Sequence, residues 1–242
     1  MKDLSKNSAV NALFVLGLFI ATVVLGFAQN PVPPIQTREI NERHQTWAIS
    51  IKYPYIAGSE SFNVAVKKIV HPLMKAFSGE IPPMQNAPNY PGYVNGKYSY
   101  VVVKDGIVSL LVEWDEYYPG AAHPSGGSAS INYDTTTSRV LSLSDFFRPG
   151  SDYVAKLSKL ATIELAGTEH TDDYAIQHGA GPVEANFKVF TLTDTDLVLH
   201  FQPYQVGPGA MGAVDVTIPL TKLTPILRRR WIPEATPGPA PD

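Results

Sequence analysis

Residues 112–147, VEWDEYYPGAAHPSGGSASINYDTTTSRVLSLSDFF, decide the fold. They read as strand, Gly/Pro-rich loop, strand, turn, short strand and helix start. The first strand runs from Ile107 to Tyr118. In the second, Ser128 to Asp134, Ala129, Ile131 and Tyr133 alternate with polar neighbours, the period-2 pattern of a half-buried strand. Thr135–Ser138 turns the chain into Val140-Leu141, and Ser142-Leu143-Ser144-Asp145 leads into a helical turn at Phe146-Phe147. The loop 119–127 brings together unusual chemistry: the adjacent Tyr117 and Tyr118, His123 between Ala122 and Pro124, and three glycines.

The same reading extends in both directions. Upstream, Lys97 to Lys104 is a strand whose Val101-Val102-Val103 run predicts burial on both faces, and Asp105-Gly106 is a hairpin turn. Thr46 to Tyr55 alternates through Trp47, Ile49, Ile51 and Tyr53. Phe62, Val66, Ile69, Val70, Leu73 and Phe77 then recur at helical spacing. Residues 80–96, rich in proline and glycine, read as a long loop. Downstream, Ser151 to Gly167 is a second helix, and 168–184 is polar. Phe187–Leu192 and Leu197–Phe201 form a hairpin. Pro203–Gly212 is a second Gly/Pro-rich loop, Ala213–Ile218 is the last strand, and Leu220–Leu227 is a short helix. Strands joined without regular helical crossovers predict an α+β fold, mainly antiparallel sheet with two principal helices packed on it.

Composition sets the compartment. Lys2 and Lys6 precede an apolar run from Ala12 to Ala28, and small residues at Gly26 and Ala28 precede Gln29. This predicts a signal peptide over 1–28, with an uncleaved anchor as the alternative, and an exported chain, periplasmic or extracellular. There is no cysteine, so no disulfide supports the fold. The formal net charge of −3 argues against nucleic acid, which needs clustered Lys and Arg. The proline-rich 29–36 stretch begins an extended linker over 29–45, and 233–242 reads as a disordered tail.

Three ordered groups of residues resemble the PdaC/RsiV-like family, in which a PdaC accessory domain is followed by an RsiV-type C-terminal domain. The first is Lys52-Tyr53-Pro54-Tyr55-Ile56-Ala57-Gly58 with Asn63. The second is Tyr118-Pro119-Gly120-Ala121-Ala122-His123-Pro124 with Asn132-Tyr133-Asp134 and Leu141 to Phe147. The third is Phe201 to Ala210 with Gly212 and Val216 to Leu220. The resemblance spans 46–223 and implies a first subdomain over 46–100 and a second over 101–228. It also implies a non-catalytic extracytoplasmic role, with peptidoglycan or a cell-wall-active protein such as lysozyme as partner and no cofactor. Two loop positions depart from the family pattern. Ala121 stands in place of a second glycine, and Gly209 in place of a tyrosine.

Tyrosines in Gly/Pro-rich loops offer large contact area at low entropic cost. Tyr90, Tyr93, Tyr117, Tyr118 and Tyr204, together with His123, are therefore the partner-binding candidates, on the loops 80–96, 117–127 and 203–212. Packing against the sheet rims is the structural alternative for the tyrosines, and tying down its own loop is the alternative for His123. A different class, a cell-wall glycan hydrolase, would use Glu113, Asp115 or His123 as acid/base groups. His170, Asp172, Asp173 and His178 have metal-ligand chemistry without a metal-site spacing, so no metal is assigned. His44, His71 and His200 read as isolated structural residues, and Arg228-Arg229-Arg230 is too short for nucleic acid.

Overall fold

The computed structural model describes residues 32–77, 91–103, 106–168 and 172–233. The expected signal peptide, Tyr90 with the first part of the 80–96 loop, His170, and all but the first residue of the expected tail lie outside them.

The chain begins with β1 (Ile35–Arg43), β2 (Trp47–Ile56) and α1 (Glu60–Phe77), and continues with β3 (Gly92–Val103), β4 (Ile107–Tyr117), β5 (Ser125–Asp134) and β6 (Arg139–Leu141). These six strands form one sheet in sequence order. All neighbours are antiparallel except β2 and β3, which run parallel because α1 carries the chain back between them. The second part holds α2 (Tyr153–Ala166), α3 (Asp173–Gly179) and a three-stranded antiparallel sheet of β7 (Phe190–Leu192), β8 (Asp196–Phe201) and β9 (Val214–Pro219).

Each sheet has its own core. The stripe Phe62, Val66, Val70, Leu73 and Phe77 of α1 lies on Ile49, Ile51, Val94, Val108, Leu110 and Val112. Each of these side chains contributes about 1.5–3 kcal/mol on burial. Asn63 locks this helix to the end of β2: its Nδ2 donates to the Ile56 carbonyl at 2.8 Å and its Oδ1 accepts from the Ile56 amide at 3.0 Å. The second core packs Leu157, Ala161 and Leu165 of α2 with Leu197, Leu199 and Phe201 of β8 and Val216 and Ile218 of β9.

The two parts meet along a polar seam on the sheet face opposite α1. The Phe190 amide donates to Ser130 Oγ at 2.9 Å and the Leu192 amide to Ser109 Oγ at 2.7 Å. Asn132 Nδ2 donates to the Phe190 carbonyl at 3.0 Å. The free edge of β7 thus finds its partners in side chains of the larger sheet, which protects it from pairing with another chain.

Four features differ from the sequence reading. Most of the expected linker 29–45 is β1, paired with β2 from Ile35 to Arg43. Its burial pattern shows only Ile35 and Ile40 half-covered, so periodicity carried little signal. Residues 92–96 belong to β3, not to a loop. The subdomain boundary at 100/101 falls inside β3, within one continuous sheet. Val101 and Val102 are exposed, at 46% and 44%, because β2 pairs with β3 only as far as Gly96.

Candidate functional site

The loops 117–127 and 203–212 converge at one end of the larger sheet. Between them lies a groove of about 600 Å³, lined chiefly by His123, Ser125, Gly126, Pro203, Tyr204 and Gly209. A volume of that size suits a small ligand or a segment of a polymer.

Two glutamines build the second loop. The Ser128 amide donates to Gln202 Oε1 at 2.8 Å, and Gln202 Nε2 donates to Ser128 Oγ at 2.8 Å. Gln205 Oε1 accepts from the Gln202 amide at 2.9 Å, while its Nε2 donates to the carbonyls of Gly179 and Asn186 at 2.8 and 2.9 Å. The loop base is therefore fixed to β5 and to the end of α3. Sequence reasoning did not single out either glutamine, although both flank the tip residue, Tyr204.

Tyr204 has φ +67° and is 66% exposed. A left-handed backbone at a bulky residue is strained, and such strain concentrates at functional sites. A Cβ at Gly209 would run into the Tyr204 ring, so the glycine at 209 is what lets the phenol lie across the loop.

His123 lines the same groove as Tyr204. Its Nδ1 is 2.8 Å from the carbonyl of Pro124. A carbonyl only accepts, so Nδ1 donates in this contact, which leaves Nε2 as the acceptor in the neutral form of the ring. The histidine ties its own loop and is among the residues that line the groove.

The other tyrosines separate. Tyr93 and Tyr117 are register partners on the sheet face opposite α1, with ring centroids 6.0 Å apart. Burial, then the neighbouring Asp115 carboxylate, pushes the Tyr93 phenol up. Tyr118 stacks on Phe77 at the end of α1, with centroids 4.7 Å apart, so it has a packing role.

The proposed acid/base groups do not converge. Glu113 and Asp115 line a different depression from His123. Glu113 pairs with Lys97 at 3.7 Å, and Asp115 accepts from Asn95 at 3.1 Å. Among the carboxylates of this strand it is Glu116 that burial pushes up, opposed by a hydrogen bond from Ser125.

Asp172 caps α3 by accepting from the Ala175 amide, and His178 stacks on Tyr174. Among the described residues no cluster of three or more His, Cys, Asp or Glu has metal-binding geometry. The basic run is structural: Arg230 Nη1 lies 2.7 Å from Asp134, and Arg228 Nε donates to the Phe147 carbonyl at 2.8 Å. An apolar cavity beside Trp231 and Leu227 holds only about 20 Å³, room for no more than a water.

His200, read as isolated, is not. Its Nδ1 lies 2.7 Å from Asp215 Oδ1 and its Nε2 2.8 Å from Thr191 Oγ1. The sense is that of a hydroxyl–imidazole–carboxylate chain. The imidazole is only 8% exposed, however, so the chain braces three neighbouring strands.

Residues 144–221 match the model of a protein family of unknown function, DUF3298. The match takes in α2, β7, β8 and β9, and of the candidate residues only Tyr204 falls within it. Two solved DUF3298 family proteins share the fold. One, from Pseudomonas aeruginosa PAO1, superposes with a TM-score of 0.55 at 17% identity, covering 84% of this chain and 99% of the other. One from Bacteroides fragilis NCTC 9343 gives 0.54 at 15% identity, covering 81% and 93%.

Among curated proteins, the chain is 28% identical over 195 residues to the peptidoglycan-N-acetylmuramic acid deacetylase PdaC of Bacillus subtilis, which covers 79% of this chain and 41% of PdaC. It is 27% identical over 107 residues to the esterase Rv3036c of Mycobacterium tuberculosis, covering 44% of this chain and 47% of the esterase. The chain therefore spans less than half the length of the curated relatives it matches.

Proposed function

We propose that this chain is an exported, non-catalytic recognition module of the cell envelope. It takes peptidoglycan in the groove between the loops 117–127 and 203–212. The observation that carries the reading is the groove itself: a strained, exposed Tyr204 on a loop fixed by Gln202 and Gln205, with His123 lining the same groove. An exposed aromatic and a hydrogen-bonding imidazole lining one groove suit a recognition site. The similarity to PdaC, named for peptidoglycan, supports the choice of ligand. Hydrolysis is less well supported, because Glu113 and Asp115 are already paired and line another depression.

Co-sedimentation of the chain with insoluble peptidoglycan tests the site. His123→Ala and Gly209→Ala, the second displacing the Tyr204 ring, are each expected to weaken retention about tenfold. Retention equal to wild type in both variants would place binding elsewhere. No retention on peptidoglycan, with saturable capture by immobilised lysozyme, would make a cell-wall-active protein the partner instead.

A further inference from the structure

The larger sheet offers a second depression, of about 320 Å³, on the half of its face that β7 leaves open. Ser50 and Lys52 of β2, Asn95 and Lys97 of β3, and Glu113 and Asp115 of β4 line it. Two lysines balance two carboxylates, so the surface has no net charge to attract an ion of either sign. The Lys97–Glu113 contact of 3.7 Å and the Asn95–Asp115 hydrogen bond of 3.1 Å satisfy much of the charge locally. What the surface offers is closely spaced donors and acceptors. Immediately beside them on the same face, one register pair further along, lie the paired rings of Tyr93 and Tyr117.

That combination fits an uncharged, hydroxyl-rich ligand. A sugar ring has an apolar C–H face that can lie on an aromatic ring and a rim of hydroxyl and amide groups that both donate and accept. We infer that this sheet face is a glycan site. It takes an uncharged oligosaccharide, stacked beside Tyr93 and Tyr117 and hydrogen-bonded to Asn95, Asp115 and Glu113. The inference rests on the envelope reading for where such a glycan is met, but the site is separate from the His123–Tyr204 groove.

Calorimetric titration with the β-1,4-linked N-acetylglucosamine trimer, an uncharged probe, tests it. Saturable binding is expected, weakened about tenfold by Asp115→Ala and by Tyr117→Ala. Asp115 is exposed, so its variant keeps the fold even if the tyrosine variant does not. Affinity should change less than about twofold between low and high salt, because no net charge is neutralised. Absence of saturable binding, indifference to Asp115→Ala, or a preference for an anionic polymer that salt abolishes would overturn the inference. The two sites fail separately. Peptidoglycan retention without trimer binding removes the glycan site and leaves the groove. Trimer binding without an effect of His123→Ala on retention does the reverse.

Discussion

Tyr204 carries the sharpest consequence at the scale of a single residue. Its φ of +67° is a conformation that glycine adopts freely and tyrosine does not. Tyr204→Gly should therefore stabilise the chain by about 1 kcal/mol while removing the aromatic contact. The expected result is a raised melting temperature together with lost retention on peptidoglycan. A variant that is destabilised would show that the ring packs as core. Sequence reasoning found Tyr204 and His123 from residue type and loop composition, and the structure brings both to one groove. It could not find the strain at Tyr204 or the tautomer of His123, because each depends on a backbone path set by distant contacts. The five candidate tyrosines looked alike in the sequence. Tyr118 differs from Tyr117 because successive residues of a strand point to opposite faces, and Phe77 waits on one of them.

At the scale of elements, side chains that hold backbone ends together matter more than the strands they join. Gln202 links the second loop to β5 through two hydrogen bonds. Gln202→Ala leaves the Ser128 amide without that partner, and is expected to cost about 1–2 kcal/mol and to weaken retention as the loop loosens. Full retention at reduced stability would separate the clamp from the site. Asn63 does the same for β2 and α1, and Asn63→Ala should cost about 2 kcal/mol in a denaturant melt, since both Ile56 backbone groups lose their partner in a buried position. A change within error would contradict the role given to this residue. Strongly periodic elements such as α1, β2 and β5 were legible in the sequence. The strand at 35–43 was not, because its ladder to β2 is made by backbone atoms while its side chains mostly face solvent. The start of β3 was hidden by Gly92 and Gly96, where the Cβ of any other residue at 96 would press on Ile51.

The whole molecule is held by contacts that cross between its two sheets. Besides the seam along β7, Arg230 from the end of the chain reaches Asp134 at the end of β5, at 2.7 Å. Burial alone would raise the Asp134 carboxyl. The hydrogen bond and charge of Arg230, with the amides of Thr136 and Thr137, more than offset it and hold it below the ordinary aspartate range. A carboxyl depressed in the folded state stabilises the fold at neutral pH. That contribution is lost as pH falls below about 4, through the folded value. Arg230→Ala should therefore cost about 2 kcal/mol at neutral pH and progressively less in acid, read from melting curves across pH. An equal cost at every pH would show that the arginine acts through packing alone. The composition of the two halves gave no hint of this pair, since the residues are far apart in sequence and the three arginines read as a simple run.

The central claim is recognition without catalysis at the groove of His123 and Tyr204. Its most direct test incubates the chain from Gln29 with insoluble peptidoglycan and measures both the protein in the pellet and the soluble fragments in the supernatant. Protein retained in the pellet, with no fragments above the level of peptidoglycan alone, is the expected result. Fragments that accumulate with time and disappear in a Glu113→Gln or His123→Ala variant would contradict it and make the chain a hydrolase.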